Sequence, residues 1–128
     1  MGRAAAQKEI PPPLEMECLN SLWRLGEGSV RKIQEDLTPR RKLAYTTVMT
    51  LLERLVKRGR VARRKQGRAF VYAPAASRNE MQRLAVRELV NLHFDGSAER
   101  LTAYLRDGDA VAPISPAVVE SGLDTTLL

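Results

Sequence analysis

The apolar residues between positions 44 and 58 recur at the three- and four-residue spacing of an amphipathic helix. This spacing gathers side chains on one face, so one stripe of the helix is predicted to be buried. The stripe comprises Val48, Leu51, Leu52 and Leu55. The opposite, outward face carries Met49, short hydroxyl side chains near its start and cations near its end. Gly59 favours the left-handed conformation that ends helices, so the helix is predicted to stop at about Arg58.

From Arg60 to Pro74 the pattern changes to a period of two, which is typical of strands. The alternation runs through residues 61–65 and resumes at residues 68–72. A tight turn is predicted between them at Gln66-Gly67, where glycine supplies a positive φ angle. Pro74 lacks the amide hydrogen that a ladder needs and is predicted to end the second strand. An antiparallel hairpin therefore follows directly after the helix.

Two further amphipathic segments precede this helix. Residues 14–26 place leucines, Cys18 and Trp23 along one broad stripe, which predicts a first helix. Ser29 can act as the N-cap of a second helix, which Thr38-Pro39 ends. Three helices followed by a hairpin form the order of a winged helix-turn-helix, in which the last helix reads DNA. The predicted fold is mainly α with a small antiparallel β-hairpin.

The pattern after Pro74 predicts helices with more apolar surface than one domain requires. Ser77 and Glu80 form a capping box that starts a helix over about residues 78–93. Gly96-Ser97 separates it from a shorter second helix. Because the apolar residues of the longer helix cover more than one face, a subunit partner is indicated. The predicted parts are a flexible arm (1–13), a winged-helix domain (14–74), a helical dimerisation segment (75–106) and a flexible tail (107–128).

Positive charge is concentrated in the first part of the chain. Residues 1–74 hold 16 lysines and arginines against 7 acidic residues, whereas residues 75–128 hold 5 against 8. Between Arg40 and Arg68, eleven cations accompany a single acid, Glu53. One interpretation is a solvated basic face, but cations along a helix and a hairpin can follow a phosphate backbone, which favours a nucleic acid. An anionic membrane is disfavoured, because the sequence has neither a long apolar run nor a basic amphipathic helix.

Candidate catalytic and metal-binding residues are few. Cys18 lies on the apolar stripe of the first helix, where a small core residue is a simpler interpretation than a redox or metal role. His93 has apolar neighbours and is interpreted as a packed or interfacial histidine. Neither has a partner for nucleophilic catalysis, so no enzymatic activity, cofactor or metal is predicted. With one cysteine and no signal-peptide pattern, the protein is expected to be cytoplasmic.

Several of these residues together resemble the penicillinase-repressor family of bacterial transcription regulators, which includes the methicillin-resistance and copper-responsive repressors. The most specific part is the run Thr-Thr-Val-x-Thr-Leu-Leu-x-Arg-Leu at residues 46–55. Leu22-Trp23, Gly67-Arg68 and the stretch at residues 94–97 also match, and the likeness covers about residues 14–106. It implies a homodimeric repressor of a palindromic operator, released when a membrane sensor-protease signals a β-lactam.

Three departures limit what the resemblance implies. Ala44 and Tyr45 stand where relatives often have a serine and a proline, which make a better helix start. The C-terminal cysteine motif of the copper-responsive branch does not occur in this sequence, so copper sensing is disfavoured. The sequence also contains no Asn-Phe dipeptide, the bond cut in the best-known relatives. The resemblance therefore does not carry over the same rule of proteolytic release.

These observations predict a sequence-specific transcriptional repressor that binds double-stranded operator DNA as a homodimer and has no small-molecule substrate. The resemblance implies β-lactam-response genes as its targets. The predicted DNA-binding residues are Arg41, Lys42, Thr46, Thr47, Thr50, Arg54, Arg63, Arg64 and Arg68. The predicted dimerisation residues are Met81, Leu84, Val86, Leu89, Val90, Phe94, Leu101, Tyr104 and Leu105. The alternatives are a winged-helix module that binds RNA or protein, and an accessory subunit of a nuclease.

Overall fold

The computed structural model describes residues 9–107, and this part of the chain contains helices and one hairpin in the predicted order. The elements are α1 (Pro13–Leu25), α2 (Val30–Leu37), α3 (Tyr45–Lys57), β1 (Val61–Gln66), β2 (Ala69–Pro74), α4 (Arg78–His93) and α5 (Ala98–Arg106). The strands are antiparallel, so the predicted fold class is confirmed. Residues 1–8 of the predicted arm and residues 108–128 of the predicted tail lie outside the described residues.

Helices α1, α2 and α3 pack around one apolar core. The four residues of the predicted α3 stripe are all buried, and Leu52 is fully enclosed. Helix α2 starts at Ser29, whose hydroxyl accepts a hydrogen bond from the Lys32 amide at 3.2 Å, as expected of an N-cap. The core comprises Cys18, Leu19, Leu22, Val30, Ile33, Leu37, Val48, Leu51, Leu52, Leu55, Val61, Tyr72 and Met81.

The hairpin is fixed to the helices by a backbone bridge that the sequence pattern did not reveal. Gly28, in the loop between α1 and α2, donates its amide hydrogen to the Tyr72 carbonyl at 2.9 Å. The Tyr72 amide donates back to the Gly28 carbonyl at 2.8 Å. Val61 and Tyr72 are buried at the base of the hairpin, whereas residues 62–70 are all exposed. The hairpin, called the wing below, therefore projects from the core.

The turn of the wing lies one residue later than predicted. Gln66 pairs with Ala69, which leaves Gly67 and Arg68 as a two-residue loop. Gly67 has a φ of 66°, at the first loop position, where glycine relieves the strain of a positive φ. The glycine therefore has its predicted role in a turn at Gly67-Arg68, and Arg68 lies at the tip.

Helix α4 begins at the predicted capping box. The Ser77 amide donates to the Glu80 carboxylate at 2.8 Å, and the Glu80 amide donates to the Ser77 hydroxyl at 3.0 Å. The bonds to Ser77 hold the pKa of the Glu80 carboxyl below its ordinary value. The two bonds satisfy amides that a helix start leaves open, and they fix the first turn of α4.

The first turns of α4 also belong to the core of the winged helix. Met81 is only 5% exposed and lies in the core cluster. The Trp23 indole donates a hydrogen bond to the Ala76 carbonyl at 3.0 Å, which ties the segment before α4 to α1. The first compact unit of the chain accordingly extends to Arg87, and the second begins at Glu88.

The second unit holds the end of α4 and all of α5. Gly96, with a φ of 78°, separates the two helices. Ser97 then caps α5, since its hydroxyl accepts an amide hydrogen from the first turn at 3.1 Å. The Phe94 and Tyr104 rings lie 5.4 Å apart between centroids at 59°, a tilted arrangement that aromatic pairs favour. The predicted break at Gly96-Ser97 is confirmed.

Two details of the predicted surface are wrong. Met49, expected on the outward side of α3, is half-buried against the core, because the apolar stripe of this helix is wider than its four central residues. Helix α1 begins at Pro13 instead of Leu14, and Pro11 is buried. Helix α1 therefore starts at the last residue of the range predicted as an arm.

Arg60 is fully buried, although its sequence context suggested a surface cation. Its backbone amide donates to the Leu55 carbonyl at 2.9 Å, and its carbonyl accepts the amides of Ala75 and Ala76 at 2.9 and 3.1 Å. These bonds hold the residue between the end of α3 and the start of α4, where its side chain is enclosed. Burial holds the pKa of Arg60 below its ordinary value. Arg60 therefore adds no cation to the exposed surface.

Cys18 is enclosed within the core, as expected of a small core residue. Burial, with the added effect of the negative charges of Glu15 and Glu17, raises the pKa of the Cys18 thiol to about 12. Since the thiolate is the reactive form, this thiol is chemically quiet near neutral pH.

Replacing Leu52 by alanine should lower the free energy of unfolding by about 2–5 kcal/mol, because it removes a fully enclosed side chain and leaves a cavity. Thr50→Ala, two residues away on the exposed face of the same helix, should change it by less than about 0.5 kcal/mol. Urea unfolding followed by circular dichroism measures both. Equal losses for the two variants would contradict the assignment of the buried face.

Candidate nucleic-acid interface

Helix α3 presents hydroxyl and cationic side chains on the side opposite to the core. Thr46 and Thr50 are exposed and lie one turn apart, and Arg54 follows after a further turn. Thr47 is half-buried at the edge of this face. Threonine can hydrogen-bond base edges or contact a thymine methyl group, and arginine can contact phosphates or guanine. We call this surface the reader face.

The start of α3 leaves backbone amides available to a ligand. Ala44 is the N-cap residue and its side chain makes no capping hydrogen bond, as its identity predicts. The Val48 amide donates to the Ala44 carbonyl at 3.0 Å, so the amides of residues 45–47 lie ahead of the helical ladder. Such amides, at the positive end of a helix dipole, can bind a phosphate oxygen.

The loop before α3 carries two of the predicted cations. The Gln34 side-chain amide donates to the Leu43 carbonyl at 2.9 Å, which ties the loop to α2. Arg41 is exposed, and its Nε lies 3.8 Å from the Glu17 carboxylate. Lys42 is exposed beside it. Both cations therefore flank the amide end of α3.

Arg64 of the wing is engaged by the loop between α1 and α2. Its Nη1 and Nη2 atoms donate to the two Glu27 carboxylate oxygens at 2.8 and 3.1 Å, and Nη2 also donates to the Gln66 side-chain oxygen at 3.2 Å. The hydrogen bond and charge of this pair raise the pKa of Arg64 and lower the pKa of Glu27. The two-pronged contact joins the wing to the loop that contains Gly28.

Arg63, the preceding residue, turns to the other side of the wing. Its guanidinium carbon lies 4.4 Å above the centre of the Phe70 ring, and Nη1 lies 4.0 Å from the Glu53 carboxylate of α3. Phe70 is 41% exposed, so part of its ring is open to solvent beside Arg63. Arg63 therefore connects the wing to the outward side of the helix that carries the reader face.

The structure groups the predicted DNA-binding residues in three places. Thr46, Thr50 and Arg54 share the reader face, and the loop before α3 holds the next two cations. Arg63 faces α3 and Arg68 is exposed at the tip of the wing, but Arg64 lies on the opposite side. Sequence analysis did not identify the partners Glu27 and Phe70. The period of two along β1 already separates adjacent arginines, but the partners depend on the long-range fold.

The predicted dimerisation residues differ in exposure. Met81 and Leu84 pack against the core of the first unit, so they are already in contact within the chain. Val90 is buried, and Phe94 and Leu101 are half-buried. The exposed members are Val86, Leu89, Tyr104 and Leu105. Leu92 of α4 is exposed as well, at 69%.

Residues 9–107 hold no group of three or more histidine, cysteine, aspartate or glutamate side chains placed to bind a metal ion. It also contains no helix with the length and apolar character needed to cross a membrane.

Comparisons with known proteins agree on one family. The model of the family described as "Penicillinase repressor" matches residues 12–118. The transcriptional regulator BlaI of Mycobacterium tuberculosis is 45% identical over 69 residues, which cover 53% of this chain and 50% of that protein. The penicillinase repressor of Bacillus licheniformis is 22% identical over 107 residues, covering 82% of this chain and 84% of that protein. The match therefore spans about half the length of the mycobacterial relative.

A solved structure is similar to the first part of the fold. The solution structure of the DNA-binding domain of the repressor BlaI superposes with a TM-score of 0.50 and 27% sequence identity. The match covers 56% of this chain and 90% of that domain. The likeness therefore extends over the winged-helix part of the chain.

Acid should loosen the wing from the loop between α1 and α2. Because Arg64 lowers the pKa of Glu27, the pair stabilises the fold above the ordinary value of 4.5 and loses this effect as the pH falls through the lowered pKa. NMR of the β1 and β2 amides, from neutral pH to about pH 3, should follow the change. Glu27→Gln should remove this dependence, whereas Glu35→Gln, at an exposed carboxylate of α2, should keep it. Identical titrations for the two variants would refute the role of the pair.

Proposed function

The chain belongs to the penicillinase-repressor family of DNA-binding transcriptional repressors, and we propose that it acts as a homodimer on a palindromic operator. In this proposal α3 enters the major groove and the wing lies along the neighbouring backbone. Bound at a promoter, the dimer represses by excluding RNA polymerase. The family relatives named penicillinase repressor make β-lactam-response genes the first targets to test, with a membrane sensor-protease as the inducer.

The observation that carries the DNA-binding part of the proposal is the adjacency of the reader face and the wing. Thr46 and Thr50 are exposed in line on α3, and Arg63 of the wing lies beside the Glu53 carboxylate of the same helix. Hydroxyls can distinguish bases, while cations and open helix amides hold phosphates. A single docked helix therefore brings both kinds of contact to one stretch of duplex.

The homodimer rests on apolar side chains that the chain leaves exposed. In the second unit Leu89, Leu92, Tyr104 and Leu105 are between 39% and 69% exposed. Apolar surface of this kind is costly in water and marks a site of association. A two-fold axis would place two copies of α3 about one helical turn of DNA apart, roughly 34 Å, so the two half-sites should be inverted repeats.

Thr50→Ala tests direct readout. The operator is first located by footprinting on the DNA upstream of the gene for this chain, and fluorescence anisotropy then compares it with a random duplex of equal length. The variant should bind the operator about tenfold more weakly, with little change on the random duplex, because it loses a base contact and no charge. Thr102→Ala, an equivalent truncation in α5, is the control and should behave as wild type.

Two results would count against the proposed DNA reader. One is equal loss on both duplexes for Thr50→Ala, which would mean that this residue contributes no base contact. The other is wild-type protein that does not prefer any duplex over random DNA. Wild-type protein that binds a structured RNA more tightly than every duplex would instead favour an RNA-binding module.

Leu89→Asp tests the dimer. Placing a carboxylate on an exposed apolar residue of α4 should convert the protein to a monomer at micromolar concentration, because a charge at the centre of an apolar contact cannot be hydrated. Sedimentation velocity measures the change in mass. Asn91→Asp adds the same charge at an exposed polar position of α4 and should leave the dimer intact. A monomeric wild type, or a dimeric Leu89→Asp variant, would refute the proposal.

A further inference from the structure

Two adjacent arginines of the wing, Arg63 and Arg64, have different partners within the chain. This difference indicates which of them is available to bind DNA. Successive residues of a strand point to opposite faces, so Arg63, opposite Tyr72, and Arg64, opposite Val71, lie on different sides of the hairpin. Each arginine lies near a carboxylate: Glu53 is near Arg63, and Glu27 is near Arg64. The distances to these two carboxylates differ, and so does the number of donors that each arginine has left.

Arg64 has its donors engaged within the chain. Both terminal nitrogens bond the Glu27 carboxylate at 2.8 and 3.1 Å, and one of them also bonds Gln66. The pair is neutral as a unit, so it adds little net attraction for a phosphate. To contact DNA, Arg64 would first have to break a two-pronged charge-assisted contact that also holds the wing in place.

Arg63 lies against the Phe70 ring. Its guanidinium carbon is 4.4 Å from the ring centroid, a cation–π contact that uses the ring face and none of the N–H donors in a hydrogen bond. The 4.0 Å to the Glu53 carboxylate is too long for a hydrogen bond. The Phe70 contact therefore restricts the orientation of Arg63, while its N–H groups make no hydrogen bond to Glu53.

Phe70 has a role that accounts for its exposure. It lies near the tip of the wing, opposite Lys65, with 41% of its surface exposed, and it does not belong to the buried core. A smaller or polar side chain would expose less apolar surface at this position of the strand. The Arg63 guanidinium lies over this ring, which restricts its orientation. This contact offsets the free-energy cost of leaving part of the apolar ring exposed to water.

We propose that Arg63, presented on Phe70, inserts into the A·T-rich minor groove flanking each half-site, whereas Arg64 does not touch DNA and positions the wing. Three residues separate the end of α3 at Lys57 from the start of the wing at Val61, so with α3 in a major groove the wing lies over the neighbouring backbone and the adjacent minor groove. Narrow A·T-rich minor grooves attract arginine, which loses its hydration more readily than lysine. The inference rests on the proposed function, because it assigns the flanking DNA that the same surface reads.

The test uses the full chain and three operator duplexes that differ only in the base pairs flanking each half-site: A·T, G·C or inosine·C. Inosine lacks the minor-groove amino group of guanine, so inosine·C resembles A·T in the minor groove and G·C in the major groove. Wild-type protein should bind the G·C duplex about tenfold more weakly than the A·T duplex, and the inosine·C duplex nearly as well as A·T. Fluorescence anisotropy at constant salt measures all three affinities.

Wild-type protein and three variants test the roles of Arg63 and Phe70. Arg63→Lys keeps the charge and the salt dependence of binding but should bind A·T and G·C duplexes alike. Phe70→Leu should weaken the A·T preference in the same way, although it removes no charge. Arg78→Lys, at an arginine of α4 that lies over the Trp23 ring and is not among the predicted DNA-binding residues, is the matched control and should keep the wild-type ratio. Circular dichroism checks that each variant is folded.

The failure of this inference is distinguishable from the failure of the proposed function. Protein that prefers its operator and loses that preference with Thr50→Ala, but ignores the flanking pairs, retains the function and overturns the role of Arg63. Retention of the flank preference in Arg63→Lys, or its loss in Arg78→Lys, overturns it as well. Wild-type protein that prefers no duplex overturns both.

Discussion

Two backbone hydrogen bonds between Gly28 and Tyr72 hold the wing on the helical core, and the position of the wing beside α3 depends on them. A two-stranded hairpin has little stability alone. Here its distal residues 62–70 are exposed, so its direction depends on its base and on the contact between Arg64 and Glu27. Val61 and Tyr72 bury that base, and the Arg60 backbone joins it to the end of α3 and the start of α4. The angle between α3 and the wing is therefore set mainly by contacts at the base of the hairpin.

The fold gives the cations of the wing region different environments. Arg60 is enclosed, Arg64 is paired with Glu27 at 2.8 Å, and Arg63 is stacked on Phe70. The number of cations counted in the sequence is therefore larger than the number that can contact a phosphate backbone. A surface with fewer free cations binds random DNA less tightly, because non-specific affinity grows with the number of phosphates neutralised. Under the proposed function, pairing within the chain therefore limits non-specific binding as well as placing the wing.

Helix α4 has two uses along one continuous element. Met81 lies in the core near its start, whereas Leu89 and Leu92 are exposed farther on. An apolar residue is thus not evidence of a subunit contact by itself. Along α4 the spacing alone did not separate residues used within the chain from residues left exposed.

The sequence by itself determined the order of helices and hairpin, the buried stripe of α3 and the Ser77–Glu80 capping box, because periodicity and capping depend on residues a few positions apart. Its most specific run, at residues 46–55, also identified the family. Tertiary structure alone decided that Gly28 pairs with Tyr72 and that Arg64 meets Glu27, 37 residues away. Partners so distant are chosen by how the chain packs, and no local pattern records that choice.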